Sequence, residues 1–332
     1  MYASILRRAR RAALALGAGV AGLLPLSAAS AAGFPDRPIT LVVAFSPGGS
    51  NDITARAISQ PLAKMLGVPV VVENRPGAAG MIGAGHVARA EPDGYTLFVS
   101  SASPLVILPH TQKHVPYDAR KDFADISLIG ITPEVLAVHP GVPAHDLKEL
   151  VALAKTRSVT LASSGTGGLP HLAIELLKKA APEARFVHVP YKGAAPAVSD
   201  TLAGHVDGVV VDLPAVYPHV VADKLRGIAL AGETRSAFMP KLPTSVEQGY
   251  PGFVAANWIA LLAPAKTPQP VVDKLHGALL EVMKQPQVGK ILAKAGVEVS
   301  ISPTTADFRK FLDAEYGKWG QVVKDAGIEP TN

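Results

Sequence analysis

An apolar strand runs into Pro47-Gly48-Gly49 and then into a helix-like segment in AFSPGGSNDITAR, residues 44–56. This is the outline of a loop that holds an anion. Glycines let the backbone approach a ligand closely, and the first N–H groups of a helix have no partner within it. A nucleoside-triphosphate loop also needs a lysine that reaches the phosphates, and none stands here. A second turn of the same make, SSGTGGLPH, sets Ser163, Ser164, Gly165, Thr166 and Gly167 ahead of a helix. Its glycines depart from the GxGxxG dinucleotide spacing. Two such helix starts facing each other would grip one or two carboxylates through backbone groups, with no ion pair required. Ser46, Gly48, Gly49 and Asp52 are the candidates in the first turn.

Other polar segments fall at strand ends, where ligands of open α/β sheets collect. They are NRPGAAG at 74–80, SSASP with Ser100 and Ser103, VPYKGAAPA around Tyr191 and Lys192, and Asp212 after a run of valines. Each has a plainer reading. Asp52 suits a helix cap, Arg75 a solvated charge, His171 a structural position and Lys192 a surface pair. The repetition of one strand–glycine turn–helix device is what favours a binding site.

Enzyme signatures are missing. No GxSxG elbow surrounds any serine, HExxH is absent, and HTQKH, with His110 and His114, has no acid before Asp118. A carboxylate pair remains open as an acid/base device, with Asp52 and Asp212 as its candidate members. No metal and no cofactor is called for.

The elements that must position these residues alternate. ITLVVAF, VPVVVEN and YTLFVS read as strands, separated by helices at DITARAISQPLAKML and GMIGAGHVARAE. From about residue 133 the alternation starts afresh with VLAVHP, and it continues through VTLASS, RFVHVP, VDGVVVDL and LRGIALAG. After residue 252 come AANWIALLAP and helices near 270–284 and 305–326, too few strands for a third sheet. The expectation is α/β with two sheet-containing lobes: 33–132 with 253–332, and 133–252. Two crossings make a hinge, with a ligand cleft between the lobes.

Residues 1–32 carry four arginines ahead of an apolar run ending in small residues, which reads as a secretory signal peptide cleaved after Ala32. Its loss leaves 28 basic residues against 27 acidic ones, so a nucleic-acid partner has no basic footprint to use. The chain has no cysteine. The exported product is expected to be soluble, periplasmic and monomeric.

Taken together, PDRPITLVVAFSPGGSNDITAR, VVVENRPGAAGMIGAGHVARAEPDGYTL, VPYDARKDFADIS, LASSGTGGLPHLAIELL, HVPYKGAAPAVSDTLAGHVD, LPTSVEQGYPGF and EYGKWGQVVKDAGI resemble the Bug proteins. These are the extracytoplasmic solute receptors of tripartite tricarboxylate transporters. The resemblance spans Pro35 to Ile328. It implies a type 2-like periplasmic binding protein of Venus-flytrap form, which closes on a small organic acid, amino acid or aromatic carboxylate and delivers it to a two-subunit membrane permease. It also implies that the two glycine turns hold the ligand carboxylate, with Asp212 reaching it from the second lobe. Three positions depart from the family pattern: Met81 where asparagine is common, Ala79 in place of a glycine, and Pro104. A sensory receptor for an organic acid and a hydrolase or isomerase using cleft carboxylates are the alternatives.

Overall fold

The strands of this computed structural model, which describes residues 33–331, join in one ten-stranded sheet of order β2-β1-β3-β9-β4-β7-β5-β6, with β8 and β10 both paired to β4. The expected leader lies outside the described residues. β1 (Ile39–Val43), β2 (Val70–Asn74) and β3 (Thr96–Ser101) run parallel, as strand–helix–strand crossovers require. Between them lie α1 (Ser50–Leu66) and α2 (Met81–Ala88). α1 stops at Gly67, whose left-handed backbone (φ 76°) accommodates the terminating turn. A π-helical turn at Ser103–Ile107 follows β3 almost directly, so the SSASP segment is a strand end and a tight turn where an open loop was expected.

β4 runs from Phe123 to Val138, sixteen residues. A strand was expected to begin only near VLAVHP. The missed half, FADISLIGIT, has Asp125 and Ser127 in a run whose other members are largely apolar, and this masks its periodicity. β4 links two groups of strands. Over Phe123–Pro133 it pairs with β9 (Ala256–Pro264), and at Gly130 and Ile131 with β10 (Glu298–Val299). Over Glu134–Val138 it pairs with β7 (Gly208–Asp212), and from Val135 with β8 (Arg226–Leu230). β5 (Val159–Ser163) lies parallel to both β7 and β6 (Phe186–Pro190).

Around this second group are α3 (Leu147–Thr156), α4 (Leu169–Ala180), α5 (Ala194–Leu202) and α6 (Leu213–Val221). The chain ends with α7 (Gln269–Met283), α8 (Pro286–Lys294) and α9 (Thr305–Asp325), and α7 packs on α1. β7, GVVVD, is buried along its whole length, as a strand covered on both faces must be. The result is the α/β two-lobed fold of periplasmic binding proteins. Among the described residues no helix is long and apolar enough to cross a membrane.

Candidate functional site

α1 and α4 begin on Gly49 and Gly168, neither of which supplies a side-chain cap. Gly49, Ser50 and Asn51 at the start of α1, Ser101 at the end of β3 and Ser103 just after it, Ser164 and Pro170 near α4, and Glu134, Asp212 and Asn257 on the strands line one narrow cavity. Among the described residues no lysine or arginine lines it.

Hydrogen bonds join distant segments of the chain beside it. The Ser46 hydroxyl donates to the Lys192 carbonyl (2.9 Å), and the Leu169 N–H donates to Ser103 Oγ (2.9 Å). A side chain at Gly165 would place its Cβ 2.9 Å from Ala79 Cα, so glycine at this position lets the two backbones meet. Ala79 itself has φ 51° and Ala78 has φ 47°. Non-glycine residues rarely adopt this region. At the departure from the family pattern, then, alanine takes a backbone conformation that favours glycine.

The floor of the cavity is acidic. Glu134 and Asp212 are directly opposite in the antiparallel β4–β7 register, where side chains lie close and like charges repel. Glu134 is fully buried and, among the described residues, neither of its carboxylate oxygens has a hydrogen-bond partner; Oδ2 of Asp212 has none there either. Burial, reinforced by the charge of Asp212, pushes the Glu134 carboxyl well above the usual range. Burial also lifts Asp212 to about 6, opposed by its own backbone N–H, the Asn257 amide and the Ser50 N–H. The pairing of Asp52 with Asp212 that the sequence left open does not form: the neighbour of Asp212 is Glu134.

The sequence-selected residues divide into three groups. Gly49, Ser103, Ser164 and Asp212 line the cavity. Ser46 stands at the lobe contact, while Gly165 and Thr166 border an outer groove beside Tyr191 and Lys192. The others engage their surroundings. The Asp52 carboxylate accepts from the Gly48 N–H (3.0 Å), Arg56 and Asn74; burial raises its pKa, but these partners outweigh that and hold it below the usual range. Ser163 Oγ lies 2.6 Å from His188 Nε2 and 3.1 Å from the Gly165 carbonyl oxygen. Burial and the neighbouring His171 lower His188 to about 3. The Gly167 carbonyl accepts from Thr111 (2.8 Å), and its N–H donates to His171 Nδ1 (2.9 Å). Ser100 is fully buried with an unpartnered hydroxyl.

Sequence reasoning missed Glu134, Ser50, Asn51 and Asn257. For Glu134 there was a signal: a lone acid inside the apolar strand TPEVLAV. Among the described residues no cluster of three or more histidines or acids suits a metal ion.

A two-lobed fold with a buried polar cavity where helix starts from both lobes converge defines a solute-binding protein. The chain belongs to the tripartite tricarboxylate transporter family receptors (TctC), whose family model matches residues 54–328, and it is a periplasmic receptor. It is 36% identical over 315 residues to BugT of Bordetella pertussis, covering 94% of each chain. A solved structure described as a periplasmic transporter is 40% identical with a TM-score of 0.85, covering 89% of this chain and 99% of that one. A Rhodopseudomonas palustris protein solved with adipate is 31% identical with a TM-score of 0.85, covering 90% of this chain and 100% of the other.

Proposed function

We propose that the chain captures one small carboxylate-bearing solute in the interlobe cleft and presents it to a two-subunit membrane permease, acting as a monomer and without catalysis. The observation that carries this reading is the convergence of two glycine-started helices on one polar cavity. Helix starts favour anions, and the adipate held by a relative is an anion of this kind. Ser46, Gly48, Gly49, Asp52, Ser100, Ser103, Ser163, Ser164, Gly165, Thr166, Gly167 and Asp212 make up the proposed binding shell. Some of them act through the shape of the turn and others through contact with the solute.

The lobes are assigned as 33–132 with 253–332, and 133–252. The change of strand partners along β4 at Pro133–Glu134, and the return of the chain at β9, support this division. The leader is assigned to residues 1–32, and the mass of protein recovered from the periplasm tests it: an intact Met1 terminus would refute cleavage.

A thermal-shift and calorimetric screen of organic acids, amino acids and aromatic acids, run with a chelator, tests the function. One class is expected to stabilise the fold, because a ligand selective for the native state raises its unfolding midpoint. The solute should be recovered chemically unchanged. Binding that needs added metal or nucleotide, or turnover of the solute, would overturn the proposal. Small-angle scattering should show the molecule contract on binding if the lobes close about the assigned crossings.

A further inference from the structure

The floor of the cavity is built for a different charge from the one its helix starts favour. Glu134 presents two buried carboxylate oxygens without partners, and Asp212 presents a third. Buried polar groups are almost always hydrogen-bonded, and a buried ionised carboxylate is retained only when paired. The elements packed around the pair bring no basic side chain to it. α1 faces it with Ser50 and Asn51, the turn after β3 with Ser101 and Ser103, and β9 with Asn257. A solute with carboxylates alone would add negative charge beside two acids. It could be held there only while both acids kept their protons.

We propose that the solute carries a cationic N–H group, in the simplest case an ammonium, which sits against Glu134 and Asp212 while its carboxylate faces the start of α4. This rests on the receptor reading above and narrows it to small zwitterions of the amino-acid class. An ammonium has three donors and no acceptor, the complement of three unpartnered carboxylate oxygens. Ser164 and the start of α4, where no carboxylate accepts from the backbone, then remain for the carboxylate, so that each end of the solute meets the opposite sign.

Matched pairs that differ only in the amino group test this by calorimetry: L-glutamate with glutarate, L-leucine with 4-methylpentanoate, and β-alanine with propionate, alongside adipate and malate. For at least one pair the aminated member is expected to bind tenfold or more tightly than its partner. Titration in two buffers of different ionisation enthalpy should show net proton release, because the arriving cation drives the acid pair to ionise. A carboxylate bound through protonated acids would take protons up. Glu134→Gln should remove most of the amino preference, and Asp212→Asn serves as a second variant if the first fails to fold by circular dichroism. Equal or tighter binding of the deaminated member, or net proton uptake, overturns this inference and leaves the receptor reading standing. If no member of the panel binds, this inference fails, and the wider screen that includes aromatic acids decides the receptor reading.

Discussion

Helices α1 and α4 start from glycines with the same φ of −84° and lack a side-chain cap of their own, yet different groups meet the N–H donors of each turn and helix start. At α1 the neighbours are acids: Asp52 takes the Gly48 N–H, and Asp212 faces the Ser50 N–H from the opposite lobe. At α4 no carboxylate accepts: Ser103, also from across the cleft, takes the Leu169 N–H, and His171 Nδ1 takes that of Gly167. Carboxylates of the protein itself already answer the positive potential at α1. That of α4 meets only a hydroxyl and an imidazole. One helix start is thus a structural joint and the other is left with its field available to an incoming anion, although the two sequences announce themselves alike.

The sharpest way to break this comparison is to stop the lobes from meeting beside α4. A β-carbon at residue 165 would run into the backbone of Ala79, where no side chain can swing aside, and the position has φ 152°. Gly165→Val should weaken solute binding by about 100-fold or more, while the unfolding midpoint falls by roughly a few degrees. Calorimetry and thermal melting read the two effects separately. Unchanged affinity would mean that contact of the backbones is unnecessary for binding.

Next in size is the charge at α1. Asp212 holds its proton up to about 6 in the folded protein, above the roughly 3.9 of an unperturbed aspartate. The native state therefore binds more protons than the unfolded one across that window, and the contribution of this group to stability falls as pH rises from about 4 to above 6. His188, lowered to about 3, acts in the opposite sense, stabilising the fold as pH rises towards 6.5. Subtracting the wild-type curve cancels it. Solute-free Asp212→Asn should gain on the wild type over the same window, by on the order of 2–3 kcal/mol at neutral pH. A difference that stays flat with pH would show that Asp212 is already fully paired at α1.

Ser103→Ala removes the neutral acceptor at α4. One buried hydrogen bond across the cleft should cost about 1 kcal/mol, or roughly fivefold in affinity. A smaller effect is expected at the exposed joint, where Ser46→Ala should change affinity by about threefold or less. Arg75, paired with Glu73 outside the cavity, should change it by less than about twofold on replacement by alanine. A large loss from Arg75→Ala would mean that an ion pair, and not a helix start, holds the solute.

The alternation of strands and helices was legible because β-branched runs and amphipathic segments follow one another without long interruptions. The two-lobed fold follows from that pattern together with the family motifs. The full reach of β4 was not legible, since its first half carries polar residues and β10, the partner at Gly130 and Ile131, is only two residues long. In the site, the glycine turns were visible by spacing alone. The acid pair was hidden because Glu134 and Asp212, far apart in sequence, become neighbours only through the antiparallel register of β4 and β7. What Ser163 and Asp52 touch was equally out of reach, being decided by His188 and Asn74 from other elements.

β4 passes through both groups of strands without a break, and its change of partners falls at Pro133 and Glu134. There the backbone of Glu134 donates to Ala255 and accepts from Ala231, while the Ala255 N–H donates to Ala231, tying three segments together around one residue. With the lobes divided there as proposed, opening of the cleft would be a torsion of a hydrogen-bonded strand, a stiffer spring than a loose linker, with proline beside its axis. The residue at that axis is the one whose carboxylate forms the cavity floor. Any solute that changes the charge on Glu134 acts on the pivot itself, so occupancy and the angle between the lobes are two readings of the same coordinate.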